Sequence, residues 1–271
     1  MAAALPPALS HEFGHDGQAG GGQCAGPGWQ GGASRAARPL MRAVLLAALL
    51  AAPALGQEGH GHGDAINNYT LVEEADITRF DGKWVANWEV QGWIGGDVNK
   101  FWWRSEGETK GPRLEQSEFQ ALYSRNIAMF FDAQVGLRHD IQPDARTYAV
   151  VGVQGLSPLF FETEAHAFFG FKGDVLLRLR QSFDLRMTNR LVVQPLFETD
   201  VYLTRVPERL IAPGPAIIEA GVLTRYEITR RVAPYVAVMF ERRLGESARL
   251  AQAAGENPGG WSIRTGVRFW L

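Results

Sequence analysis

From Thr70 to Leu271 the chain alternates apolar and polar positions with a period of two, block after block. That period puts successive side chains on opposite faces of a β-strand. The clearest instance is Lys83 to Glu108, KWVANWEVQGWIGGDVNKFWWRSEGE, where Gly95-Gly96-Asp97 separates two alternating runs. Such a pair predicts a β-hairpin. The same reading along the chain predicts twelve strands: 70–80, 83–94, 98–107, 115–125, 129–140, 146–157, 159–170, 173–186, 190–202, 216–228, 232–243 and 260–271. Most are as long as a tilted strand needs to be to cross a bilayer, whereas strands of globular proteins are about half that length.

The faces sort consistently. Phe131, Ala133, Val135 and Leu137 oppose Asp132, Gln134, Arg138 and Asp140; Trp261, Ile263, Val267 and Phe269 oppose Ser262, Arg264 and Arg268. An apolar face toward lipid and a charged face toward a lumen account for both sets. Connections at 95–97, 126–128, 158, 187–189 and 229–231 are short, and those at 108–114, 141–145, 203–215 and 244–259 are longer and richer in Gly, Pro and charge. The five tryptophans of the first hairpin (Trp84, Trp88, Trp93, Trp102, Trp103) read as part of an aromatic girdle. The expected fold is therefore all-β, an antiparallel transmembrane β-barrel of about twelve strands with short periplasmic turns and longer extracellular loops. An even strand count places both termini in the periplasm.

Composition changes this picture little. Mean hydropathy is only −0.13, as a barrel wall with one polar residue for each apolar one allows. No apolar run is long enough for a spanning helix. A formal net charge of −2 carries no basic excess toward nucleic acid. The predicted lumen mixes signs: Lys100, Arg104, Arg138, Arg178, Arg180, Arg225, Arg243, Arg264 and Arg268 share it with Glu106, Glu118, Asp132, Glu162, Glu164, Glu198, Asp200, Glu219 and Glu241. Ion pairs across such an interior predict a plugged or narrow lumen.

The first residues divide differently. Met41-Arg42 followed by AVLLAALLAAPALGQ reads as a secretory signal over 41–56, cut after Gly56. Residues 1–40 are Gly-, Ala- and Pro-rich without periodicity and read as an upstream extension or a disordered leader; 57–69 form a short polar tail, and 70–271 the barrel. The sole cysteine, Cys24, precedes the cut, which leaves the mature chain without thiol chemistry. His11-Glu12-Phe13-Gly14-His15 matches the HExxH zinc pattern, but it sits among glycines, ahead of the signal, without the helix that this chemistry requires.

Two candidate metal positions remain. His60 and His62, in QEGHGHGD, put two imidazoles on a flexible tail, a donor set for a soft or borderline ion such as copper. Within the barrel His166 shares a predicted lumenal face with Glu162 and Glu164 at period-two spacing, a trio able to hold a divalent cation. Neither His139 nor His166 is followed two residues later by serine, so no nucleophile–base pair is read and no catalytic activity is expected.

Five segments, QGWIGGDVNKFWWRSEGE, QALYSRNIAMFFDAQVGLRHD, RTYAVVGVQGLSPLFFETEA, KGDVLLRL and GVRFWL, in order and with matching spacing, resemble the copper resistance protein B family over residues 68–271. The resemblance implies an outer-membrane β-barrel, association with copper ions and membrane lipid, and a role beside periplasmic copper-handling proteins. Many members of that family carry a Met- and His-rich tract before the barrel. Here the tract is reduced to His60 and His62, and the mature chain has only Met129, Met187 and Met239. The competing expectation is a narrow channel or structural barrel that binds no copper directly.

Overall fold

The computed structural model describes residues 66–80 and 82–271. The upstream extension, the HExxH-like segment, the signal peptide and His60 and His62 lie outside the described residues. Twelve antiparallel wall strands follow one another: β1 (Asn67–Phe80), β2 (Lys83–Gly95), β3 (Asn99–Lys110), β4 (Arg113–Ala128), β5 (Phe131–Gln142), β6 (Arg146–Ser157), β7 (Phe161–Gly170), β8 (Val175–Ser182, continued by Leu185–Arg186), β9 (Leu191–Tyr202), β10 (Gly214–Tyr226), β11 (Val232–Arg243) and β12 (Gly259–Trp270). Each pairs with its sequence neighbour, and β12 returns to β1 through Leu71 opposite Trp270 and Thr78 opposite Arg264. The sheet is closed, so no edge strand remains to be satisfied. This is a transmembrane β-barrel.

The two ends of the barrel differ. Both the start of β1 and the end of β12 lie at one end, the terminal rim, together with the turns after β2, β4, β6, β8 and β10. The other end, the loop rim, holds the two longest connections, 203–213 and 244–258, the latter containing the helix α1 (Gly245–Ala253). The expected long connection at 108–114 is instead a two-residue turn. Thr109 pairs with Leu114 and Lys110 with Arg113, because charged residues at a solvated rim cost the ladder nothing.

Two more strand expectations are corrected by backbone chemistry. The run 173–186 breaks at Phe183-Asp184, opposite Pro195 of β9. Phe183 N–H donates to the Pro195 carbonyl at 3.2 Å, but a proline has no N–H to return. The run 159–170 begins only at Phe161, since Pro158–Phe160 form a 3₁₀ turn with Leu159 and Phe160 in the left-handed region at φ 67° and 64°.

The alternation holds around the wall. Val135, Leu137 and Ile141 are each about half exposed on the outside, while Gln134, Arg138 and Asp140 of the same strand are buried inside. Trp84, Trp88 and Trp103 face outward; Trp88 and Trp103 lie over the directly paired Gly107 and Gly92, where an added Cβ would collide with the indole. Trp93 and Trp102 do not belong to the girdle. They pair with each other, and Trp102 pairs with the buried Leu122, so all three face the lumen.

Candidate functional site in the lumen

Because strands of a closed barrel tilt, a row of directly paired residues climbs the wall from one rim to the other. One such row is apolar: Trp93, Trp102, Leu122, Gly136, Val150, Phe168, Leu176 and Tyr202, each paired with the next, from β2 to β9. At the loop rim Val206 and Ile211 of the 203–213 connection fold onto this row and are buried with it. Tyr148 and Phe168 meet edge to face at 6.4 Å, and the Arg138 guanidinium lies 5.4 and 4.9 Å from their rings. Arg138 also pairs with Glu118 at 2.6 Å and Asp140 at 2.7 Å. This sector, centred on β5–β7, is filled by side chains.

Two neighbouring rows are acidic. Glu74, Glu89, Glu106, Glu118 and Asp140 are paired in succession across β1–β5. Glu198, Glu219 and Glu241 are paired across β9–β11. Like charges directly opposite one another are unfavourable, and two arginines of β8 reach across the lumen to offset them. Arg180 binds Glu198 at 2.6 Å on one side and Glu89 of β2 at 2.7 Å on the other. Arg178 is held by Asp200 at 2.9 Å and lies 3.7 Å from both Glu106 and Glu118. Arg104 of β3 crosses to Glu164 of β7 with two bonds of 2.7 and 2.8 Å, a bidentate geometry.

Beyond this bridge the lumen is hollow. A cavity of about 220 Å³ is lined by every strand except β5, β6 and β7. Toward the loop rim it continues into a vestibule of about 610 Å³, sharing Glu108, Glu241 and Arg264 with it. Arg209, from the 203–213 connection, closes over the vestibule wall onto Asp140 at 2.8 Å and Asp144 at 2.9 Å. Burial would raise the Asp144 carboxyl, but hydrogen bonds from Arg209 and Arg146 outweigh it and hold the group below its ordinary value.

The trio read from period-two spacing is placed as follows. His166 is buried in the lumen, and its Nε2 is 2.8 Å from Gln134 Oε1. Gln134 in turn donates to Gln154 at 3.0 Å. Glu164 is held by Arg104, and Glu162 accepts from Ser182 at 3.3 Å. Among the described residues no three His, Cys, Asp or Glu side chains come together in a metal-holding group. His139 lies outside, with its Nδ1 2.9 Å from Thr147 Oγ1. The lumenal roles of Glu74 and Glu89 were missed from sequence; only the register that pairs them with Glu106 and Glu118 reveals them.

The family model described as copper resistance protein B precursor matches residues 66–271, the whole wall of the barrel. This chain belongs to the copper resistance protein B family. It is 35% identical over 216 residues to copper resistance protein B of Escherichia coli, an alignment covering 79% of this chain and 73% of that protein. It is likewise 35% identical over 211 residues to the copper resistance protein B homolog of Pseudomonas syringae pv. tomato, covering 78% and 72%. Among solved structures, the NanC porin superposes with a TM-score of 0.51 at 12% identity, over 76% of this chain and all of that one, which is a likeness of fold alone. The family assignment thus coincides with the part of the chain that forms the barrel.

Proposed function

We propose that this protein is an outer-membrane component of copper resistance that holds or passes copper ions at the periplasmic face, with both termini in the periplasm. The observation that carries the reading is the family match over the entire barrel, residues 66–271. The porin-like fold agrees with an outer-membrane location, and the two long connections at the rim opposite the termini agree with the orientation. Copper is the cargo. Its first contacts are His60 and His62 on the tail that precedes β1 at the terminal rim; the second candidate position is His166 in the lumen, with Glu162 and Glu164 earlier on the same strand. Imidazole is a fitting donor for either oxidation state of copper. At His166 a metal would have to replace Gln134 at Nε2, whereas the tail sets two imidazoles within three residues of sequence.

The test is a Cu(I) and Cu(II) titration of the protein purified from membranes, compared with His60→Ala/His62→Ala and with His166→Ala. Binding lost in the double variant assigns copper to the tail. Binding lost only in His166→Ala moves it into the lumen. Equal absence of binding in all three overturns a direct role in holding copper.

A further inference from the structure

A second feature of the lumen lies between the hollow cavity and the terminal rim. One chain of polar contacts runs from strand to strand across the barrel. Asp184, at the break after β8, pairs with Arg225 of β10. Arg225 Nη1 donates to Gln194 Oε1 of β9 at 3.1 Å, and Arg268 Nη1 of β12 donates to the same oxygen at 3.3 Å. Arg268 lies 3.6 Å from Glu73 of β1, which accepts from Gln91 of β2 at 2.7 Å. Gln91 accepts from Arg104 Nη2 at 3.0 Å, and Arg104 reaches Glu164 of β7. Every wall-strand residue in this chain sits in the half of its strand nearest the terminal rim. On the remaining side, the inward Trp102 and Leu122 and the His166–Gln134–Gln154 contacts complete the layer.

We propose that this belt, with Gln194 as the node where two arginines meet one oxygen, is the closure of the barrel, and that releasing it turns the protein into a cation-selecting pore. On its loop side the cavity and vestibule are already hollow and share lining residues, so the space behind the belt continues toward the loop rim. Arg225 holds both Asp184 and Gln194 at hydrogen-bonding distance, whereas Arg268 reaches Gln194 at 3.3 Å and lies 3.6 Å from Glu73, which makes Arg268 the weaker latch. Selectivity follows from the wall behind the belt, where eight carboxylates besides Glu73 face three arginines. A ring of fixed negative charge admits cations and repels anions.

The experiment reconstitutes the full-length protein, purified from membranes, into planar lipid bilayers under a potassium chloride gradient. Wild type, Arg268→Ser, Gln194→Ala and the loop-rim variant Arg209→Ser are compared, each first checked for the heat-modifiable electrophoretic mobility of a folded barrel. Wild type and Arg209→Ser should stay closed. Arg268→Ser and Gln194→Ala should raise conductance at least about tenfold, with a reversal potential on the cation side. In a Cys24→Ser, Leu196→Cys background, a cationic methanethiosulfonate reagent should block the Arg268→Ser current, because Leu196 lines the cavity and is only partly buried. The proposal is overturned if folded Arg268→Ser and Gln194→Ala are as silent as wild type, if wild type conducts stably, or if Arg209→Ser opens as readily. An anion-selective current, or one indifferent to the reagent at position 196, overturns it as well.

Discussion

The sector around β5–β7 and the sector from β9 round to β2 have the same wall, apolar outside and polar inside, yet opposite interiors. In the first, Tyr148, Phe168, Leu176 and Tyr202 turn inward and pack beside Arg138, which with its two carboxylates is almost fully buried at the edge of the vestibule. In the second, glutamates and arginines line a cavity, with Leu196, Leu223 and Met239 as its apolar patch. The lesson is that an inward-facing position is not one environment. A buried ion pair surrounded by rings depends on its partner being present, because the alternative is an unpaired charge in a dry setting. A carboxylate facing a hollow lumen has water as a substitute.

The sharpest way to break that contrast is Arg138→Met. Loss of the guanidinium takes the nearest cation from Glu118 and one of two from Asp140, both almost fully buried, and should cost about 3 kcal/mol. Urea unfolding of the barrel in lipid vesicles measures it, and a cost near zero would mean that water reaches this sector too. Next comes Phe168→Ala, which removes the ring at the centre of the apolar row and should cost about 3 kcal/mol by the same measurement. Gly136→Ala should cost about 1–3 kcal/mol, since its Cβ would strike the backbone of Ala121 and Leu122 on the neighbouring strand. In the hollow sector Glu241→Gln should change stability by less than about 1 kcal/mol and in the stabilising direction, because it relieves the repulsion along the Glu198–Glu219–Glu241 row. A large destabilisation there would show that the sector is as dry as the first.

The smallest effect concerns pH at the loop rim. The Asp144 carboxyl is held below its ordinary value by Arg209 and Arg146, so the docking of the 203–213 connection is fully supported above the ordinary carboxylate range. The support is lost as pH falls through the depressed value. A spin label at Glu208→Cys, in a Cys24→Ser background, should gain mobility only below that range. Mobility unchanged down to strongly acid pH would mean that the docking does not depend on the Asp144 pairs.

Much of this was legible from residues in order. The period-two alternation located every wall strand, and the parity of Asp132, Gln134, Arg138 and Asp140 told inside from outside before any coordinates. Local chemistry explains the errors at strand ends: Pro195 breaks a ladder on the neighbouring strand, an influence that no window along 173–186 contains. Charged rim residues such as Lys110 and Arg113 continue a strand that composition would have ended. The tryptophans of the first hairpin were sorted by type when they had to be sorted by parity, and Trp93 and Trp102 fell on the wrong side.

What the sequence determined by itself was the kind of wall, since alternation is a property of neighbours along the chain and of the pleat that separates them. It also supplied the charges of the lumen and the histidines of the tail. What only the tertiary structure decided was which of those charges meet. Glu89 and Glu106 share a row because of strand register, and Arg180 reaches Glu89 because the sheet closes and brings β8 across from β2. Register and closure are set by pairing and tilt around the whole barrel. Residues separated by ninety-one positions become partners through geometry that no local pattern encodes.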